Sequence, residues 1–263
     1  MIGLTATIPS VMAGLAGGSF IVPALIIIFN MPAKNAAAST IVALLFGVTS
    51  ATINYVRQKR VDYKIGLLFD IMDIPGVVIG AYITELISSS LSALLLGFFL
   101  MVLSLKMLTS KGVLKVVKKR EGKAVWRRKI VDSSGQVFTY SLSKRDLALS
   151  QVGSLLSGML TGLFGLGGGT IDASFMILMG LPAHVAAATS MFGMTITKVS
   201  GVIAHGLLGN ILIEFALPLT LGTVIGSQIG SLLAKRIKGE TLKKILGVSL
   251  LVTGMRLIAY CLF

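Results

Sequence analysis

The chain has 263 residues, 54% of them hydrophobic and only 13% charged, with a mean hydropathy of +0.91 and a net charge of +14. A water-soluble domain of this length needs far more charge to cover its surface, so a soluble enzyme or binding module is excluded. The basic residues cluster between apolar segments, which assigns the positive charge to membrane topology and anionic lipid rather than to nucleic acid.

Uncharged runs extend from Met1 to Ala33, Asn35 to Val56, Leu86 to Leu105, Leu147 to Ile171 and Phe215 to Ala234. Each is long enough to cross roughly 30 Å of hydrocarbon as a helix rising about 1.5 Å per residue. The chain accommodates about six to eight such spans. The first run carries no charged leader and continues too far for a signal peptide, so cleavage is not expected. It is broken at Gly17-Gly18-Ser19. Next, Met31 to Thr40 reads MPAKNAAAST and opens a second segment, which closes near Asn54 and Tyr55. A third carries Asp70, Asp73, Gly76 and Gly80, and a fourth contains Gly97. The segment 109–146 is polar and strongly basic. Within it, 123–143 has β-type residues on either side of Asp132-Ser133-Ser134-Gly135, which predicts a small β-hairpin.

After this insert the same signals return in the same order. Gly167-Gly168-Gly169 aligns with Gly17-Gly18-Ser19, and LPAHVAAATS from Leu181 to Ser190 aligns with MPAKNAAAST. Gly222 and Gly226 align with Gly76 and Gly80, and Gly247 aligns with Gly97. The chain therefore reads as an all-α polytopic membrane protein of two repeats, 1–108 and 147–263, with the insert 109–146 between them. Each repeat holds one glycine-broken segment, re-entrant or crossing twice, followed by three transmembrane helices.

Basic clusters at 57–64, 106–145 and 235–244 hold most of the 24 Lys and Arg residues and belong in the cytoplasm. Three apolar segments separate the second cluster from the third, so one of them must enter and leave on the same side. The segment 147–180, too long for one span and broken at Gly165-Leu166-Gly167-Gly168-Gly169, is the candidate. The repeats then have inverted topology, with both termini outside and the insert cytoplasmic, as in many secondary transporters.

Helices restarting after Gly17-Gly18-Ser19 and after Gly167-Gly168-Gly169-Thr170 would aim amides at the midplane. Such ends attract anions at roughly 0.3–2 kcal/mol each. Close helix packing through small residues is the other reading, and the matched positions favour a binding site. Lys198 lies in an apolar run, where a lysine costs roughly 2.5–3.5 kcal/mol. It is an anion contact, an ion-pair partner of Asp172, or a cation snorkelling to the outer interface. Asp70 and Asp73 share one helical face. They either bind a proton or cation that drives transport or are structural, with Asp70 an interfacial neighbour of Lys64.

Ser39-Thr40 and Thr189-Ser190 either donate hydrogen bonds to a substrate or cap helices beginning after Pro32 and Pro182. His205 ends the second segment of its repeat, as a structural residue or a ligand. Cys261 is the only cysteine, which excludes an internal disulfide and a thiolate metal cluster. Neither His184 and His205 nor any set of carboxylates assembles a metal or catalytic site, so no catalytic residue, metal or cofactor is expected.

The run Gly165-Leu166-Gly167-Gly168-Gly169-Thr170-Ile171, followed by a Leu-Pro-Ala-His turn and an Ala-rich segment with Thr189-Ser190, resembles the sulfite exporter TauE/SafE family. A fainter copy runs from Gly17 to Pro23, and Gly76/Gly80 and Gly222/Gly226 echo the family's Gly-x-x-x-Gly helix. The likeness covers nearly all of the chain outside 109–146. It implies a prokaryotic plasma-membrane permease for sulfite or a related sulfur oxyanion or organosulfonate. The partners would be a small anion and the lipid bilayer. The chain departs from the family pattern at Ala173, where proline is expected, at Ser19, where glycine is expected, and in the length of the basic insert. The alternatives are a transporter of another solute or a cation, and a membrane sensor or scaffold acting through the insert.

Overall fold

The computed structural model describes residues 1–12, 16–109, 126–166, 168–233 and 239–262. The described elements, in chain order, are α1 (Ile2–Met12), α2 (Gly18–Phe29), α3 (Ala33–Arg57), α4 (Tyr63–Leu86) and α5 (Ser89–Thr109), then β1 (Trp126–Val131) and β2 (Val137–Leu142). They continue with α6 (Lys144–Phe164), α7 (Gly169–Leu178), α8 (Ala183–Leu207), α9 (Ile213–Leu233) and α10 (Gly239–Leu262). Among the described residues, α3, α4, α6 and α9 are long and apolar enough to cross a membrane by length and composition. Their polarity is arranged inside out. Leu217, Leu221 and Ile225 of α9, Leu67, Ile71 and Val78 of α4, and Leu149, Val152 and Leu156 of α6 are exposed. Ser154, Ser157, Thr161, Thr197, Thr223 and Ser227 are buried. An apolar rim around a polar interior is what hydrocarbon selects, because lipid offers no hydrogen bonds to polar groups on the outside.

The expected helix breaks are present. α1 stops at Met12 and α2 starts at Gly18, while α6 stops at Phe164 and α7 starts at Gly169. Gly17 (φ 109°) and Gly165 (φ 66°) turn the chain through the left-handed region that side-chain-bearing residues avoid. The two breaks meet. A Cβ on Gly18 would collide with the carbonyl of Gly165 and the backbone of Leu166, and one on Gly165 would lie 2.7 Å from Ala37 Cα in α3.

Helices far apart in sequence pair through small residues. α4 runs along α6 with Gly76 and Gly80 against the Leu155 and Met159 carbonyls, and with Gly158 and Gly162 against those of Asp73 and Val77. α9 runs along α1 with Gly222, Gly226 and Gly230 against Leu4, Thr7 and Ile8. α5 meets α10 at Gly97 and Gly254. α3 packs on α8 and α9, and α8 on α4. α7 folds back along α6, with Phe175 over Gly153 and Gly168 beside Ser157.

The hairpin predicted around Asp132-Ser133-Ser134-Gly135 forms, with β1 and β2 antiparallel from Trp126↔Leu142 to Val131↔Val137. The remainder of the basic insert, 110–125, and the basic stretch 234–238 lie outside the described residues.

Because the α4–α6 contact is backbone against backbone, Gly80→Val has no flexible neighbour to push aside. It is expected to cost on the order of 1–3 kcal/mol, the usual penalty for overpacking. Gly206→Ala, whose Cβ would meet only Ile211 Cδ1 at 3.6 Å, should be neutral. Thermal unfolding of the two variants in detergent checks the contrast.

Candidate functional site

Where α4, α6, α7 and α8 converge, the interior holds four ionisable side chains. Asp70, Asp73 and Asp172 are at most 4% exposed and Lys198 is fully enclosed. Snorkelling is therefore not what Lys198 does. Its ammonium lies within electrostatic reach of Asp73 and Asp172 yet has no hydrogen-bond partner. Asp70 is no neighbour of Lys64 at an interface either. It turns inward to α8, where Thr197 Oγ1 stands 3.0 Å from Asp70 Oδ1 and 2.7 Å from Asp73 Oδ2. The outer oxygens, Asp70 Oδ2 and Asp73 Oδ1, are buried without partners, as is Asp172 Oδ1.

The second glycine break borders this cluster. The Ser157 hydroxyl donates to the Gly168 carbonyl at 3.1 Å, and the Gly168 amide donates to Thr161 Oγ1 at 2.6 Å. The Gly169 amide points at Met194 Sδ, 3.0 Å away. Two of the amides expected to face a substrate are thus taken up internally. A Cβ at Gly168 would lie 2.6 Å from Ser157 Oγ and 2.8 Å from Asp172 Oδ2, so only glycine fits between them. At the first break Ser19 and, on α3, Thr40 are buried with hydroxyls that have no partner. Gly17 and Gly18 form the turn itself. Gly167 and the Thr170 side chain lie outside the described residues.

Other sequence candidates are bonded to the backbone of the fold. Ser39 Oγ accepts from the Leu212 amide at 3.1 Å, and Thr189 Oγ1 accepts from the Asp62 amide at 2.9 Å. These matched residues make matched tethers to the chain just before α9 and α4, and they cap neither of their own helices, where Pro32 and Pro182 hold the cap position. Ser190 bonds its own helix at Ala187. His205 Nε2 lies 2.8 Å from the Gly162 carbonyl. A carbonyl only accepts, so Nε2 carries the proton and the ring is tied to α6. Beyond it, Asn210 donates to Glu85 at 2.7 Å and Lys34 pairs with Glu85 at 2.9 Å.

The opposite end is closed by the hairpin. Phe138, Tyr140 and Leu142 pack with Ile65, Phe69, Met176, Met179 and Val185. Asp62, the N-cap of α4, receives Arg128 through both oxygens at 2.7 and 2.8 Å, and also the Tyr140 hydroxyl. Burial pushes the Asp62 carboxyl up, but the bonds from Arg128 and Tyr140 outweigh it and hold the group below its ordinary value of 3.8. The Ser134 hydroxyl and the Arg60 guanidinium hold Asp132, at the hairpin turn, well below the carboxylate range.

The sequence profile of the sulfite exporter TauE/SafE family matches residues 1–257. The chain belongs to the sulfite exporter TauE/SafE family. Across 98% of its length it is 30% identical to the probable membrane transporter protein YunE of Bacillus subtilis, covering 95% of that protein. It is 23% identical to the probable membrane transporter protein YdhB of the same organism, over 93% of both chains. A shorter stretch, 42% of the chain and 23% of the relative, is 29% identical to the sulfite exporter TauE/SafE family protein 3 of Arabidopsis thaliana. No solved structure matches. This TauE/SafE member is thus a multi-pass membrane transporter, and among its described residues the buried charged side chains with unpartnered atoms, Asp70, Asp73, Asp172 and Lys198, gather near the second helix break.

Thr197 and the α6 hydroxyls were not singled out from the sequence. Ser150, Ser154, Ser157 and Thr161 recur every three or four positions, a polar stripe along one helix face that spacing alone could have revealed.

Removing Arg128 leaves the buried Asp62 carboxylate with its strongest donor gone. Arg128→Ala is expected to loosen the hairpin by about 1.5–3 kcal/mol, the worth of hydrogen bonds to a charged group. Acid should do the same. Asp62 has its folded value depressed, so its contribution is complete above the ordinary value of 3.8 and is lost as pH falls through the lower folded one. Hydrogen exchange of residues 126–142 at neutral pH and in acid tests both expectations.

Proposed function

We propose that this TauE/SafE member is a secondary transporter of a small anion of the sulfite, thiosulfate or organosulfonate class, working by alternating access across the plasma membrane. The observation that carries this reading is the contact between the two helix breaks, Gly18 against Gly165, in an interior that also holds the enclosed, unpartnered ammonium of Lys198. Broken backbone at membrane depth persists where it is buried in protein or lines a polar cavity. A buried ammonium with three unused donors calls for an anion. Ser19 and Thr40 add unpaired hydroxyls from the first break and its neighbour. The family description supplies the substrate class.

The two inverted repeats, 1–108 and 147–263, are the reading the helix pairing supports best. Exchanging α1–α5 for α6–α10 turns the α4–α6 pair into α9–α1 and the α3–α9 pair into α8–α4, and returns the α5–α10 and α3–α8 pairs to themselves. In the corresponding topology α6 enters from the hairpin side, α7 returns to it, and the 109–146 insert is cytoplasmic. Basic residues at 57–64 and in the insert then meet anionic lipid headgroups. Alternating access would rock one repeat against the other about the crossing.

Sulfite, thiosulfate and organosulfonate efflux from proteoliposomes holding the purified full-length chain tests the reading. Lys198→Ala and Gly168→Val should each lower flux of the transported anion at least ~10-fold, the equivalent of about 1.4 kcal/mol of lost binding. Both variants should still insert in the membrane. Flux unchanged in both contradicts the site.

A further inference from the structure

We infer that the Asp70–Asp73 pair, bridged by Thr197, carries an exchangeable proton that is taken up together with the anion. The inference rests on the transport reading above and adds the coupling ion to it.

The geometry sets a proton count. Thr197 Oγ1 is within hydrogen-bond distance of Asp70 Oδ1 at 3.0 Å, of Asp73 Oδ2 at 2.7 Å and of the Gly193 carbonyl at 3.1 Å. A hydroxyl has one proton to give, and a carbonyl has none. With both carboxyls ionised, at least one would face a lone pair at hydrogen-bond distance in a site closed to water. One added proton resolves the conflict between the two carboxyls. The protonated carboxyl donates to Thr197 Oγ1, and Thr197 donates to the other carboxylate. Both carboxyls share one helical face, so the proton passes between them by reversing the hydroxyl.

The surroundings favour a proton over a metal cation. From α8 the pair is faced by Thr197 and Lys198, with His205 two turns further along. From α7 it is faced by Asp172. α6 contributes Ser154, Ser157 and the bare backbone of Gly158 at this level, and its only charged residues, Lys144, Arg145 and Asp146, are at its far end. Three carboxyls and one ammonium leave two negative charges when all are ionised, and each proton taken up removes one. A metal ion would have to sit beside the Lys198 ammonium. Among the described residues, no three acidic, histidine or cysteine side chains converge as metal ligands would.

Coupling follows from charge. Asp73 and Asp172 occupy the field of Lys198. While ionised they compete with any anion for it, and a proton held on Asp73 removes one of the two competitors. Because linkage is reciprocal, the anion then raises proton affinity by the factor with which the proton raises anion affinity. Proton and anion therefore travel in the same direction.

Two measurements on the full-length protein separate the possibilities. Infrared spectra of the purified chain at neutral pH should contain the carbonyl band of a buried protonated carboxylic acid. It should vanish in Asp70→Asn/Asp73→Asn, shift in Thr197→Val and persist in Thr197→Ser. In proteoliposomes at zero membrane potential, a pH gradient should drive sulfite toward the alkaline side, and this drive should be lost in Asp73→Asn. A spectrum lacking a band assignable to this pair overturns the proton site. A band together with sulfite flux that ignores the pH gradient, or follows a sodium gradient instead, overturns the coupling. A band with no flux of sulfite, thiosulfate or sulfonate leaves the proton site standing and refutes the anion reading on which the coupling rests.

Discussion

The crossing of two interrupted helices is possible because no side chain stands at the point of contact. Gly18 is held against the Gly165 carbonyl and Leu166, and Gly165 against Ala37, at separations that leave no space for a Cβ. That approach brings the ends of α2 and α6 to the centre of the bundle. Once they are there, everything attached to them is fixed in turn. Gly168 must fit between Ser157, Thr161 and Asp172, and α7 must fold back along α6. α8, entering from the same end as α4, is brought alongside it with Thr197 and Lys198 facing the carboxylates. In lipid the driving force for such pairing is close packing and internal hydrogen bonding rather than exclusion of water, which explains why glycine lines every principal helix contact.

The two sides of the bundle use this scaffold differently. Between α3 and α9 the interior polar groups are neutral, and all but the Ser227 hydroxyl belong to a bonded network among Ser50, Asn54, Gln228 and Ser231 or bond the backbone. Asn54 donates to Gln228 at 2.7 Å and to Ser231 at 2.8 Å, and Gln228 donates to Ser50 Oγ at 2.6 Å. Between α4 and α8 the corresponding space holds carboxylates and a lysine with unfilled bonding capacity. A satisfied network fixes structure, whereas an unsatisfied charged one is costly unless a ligand or proton completes it. The unpartnered buried charges are accordingly concentrated on one side of the bundle. The hairpin covers the end of that side, tied to α4 by Asp62 and Arg128.

Much of this was legible in the sequence because the signals are local. The glycine breaks, the hairpin turn at Asp132-Ser133-Ser134-Gly135 and the intrusion of Lys198 into an apolar run each need only a short window. What the sequence concealed depends on which helices become neighbours. Asp70 looked like an interfacial partner of Lys64 because the helix that turns it inward, α8, is more than a hundred residues away. Ser39 and Thr189 looked like substrate donors or caps, yet each accepts an amide from a distant part of the chain. The α6 hydroxyl stripe was open to reading but carries no charge to draw attention. The partner of the hairpin was unreadable because Phe138 and Tyr140 find their contacts on α4, α7 and α8.

The central claim is that the crossing of the two breaks is a polar site opened to each side of the membrane in turn. Its most direct test uses single cysteines in place of Ser19 and Ser157 in a Cys261→Ser background, treated with a membrane-impermeant thiol reagent from one face or the other. The account predicts that each cysteine is modified from both faces and is shielded by the transported anion. Modification from neither face, with reaction only to lipid-soluble reagents, would contradict it.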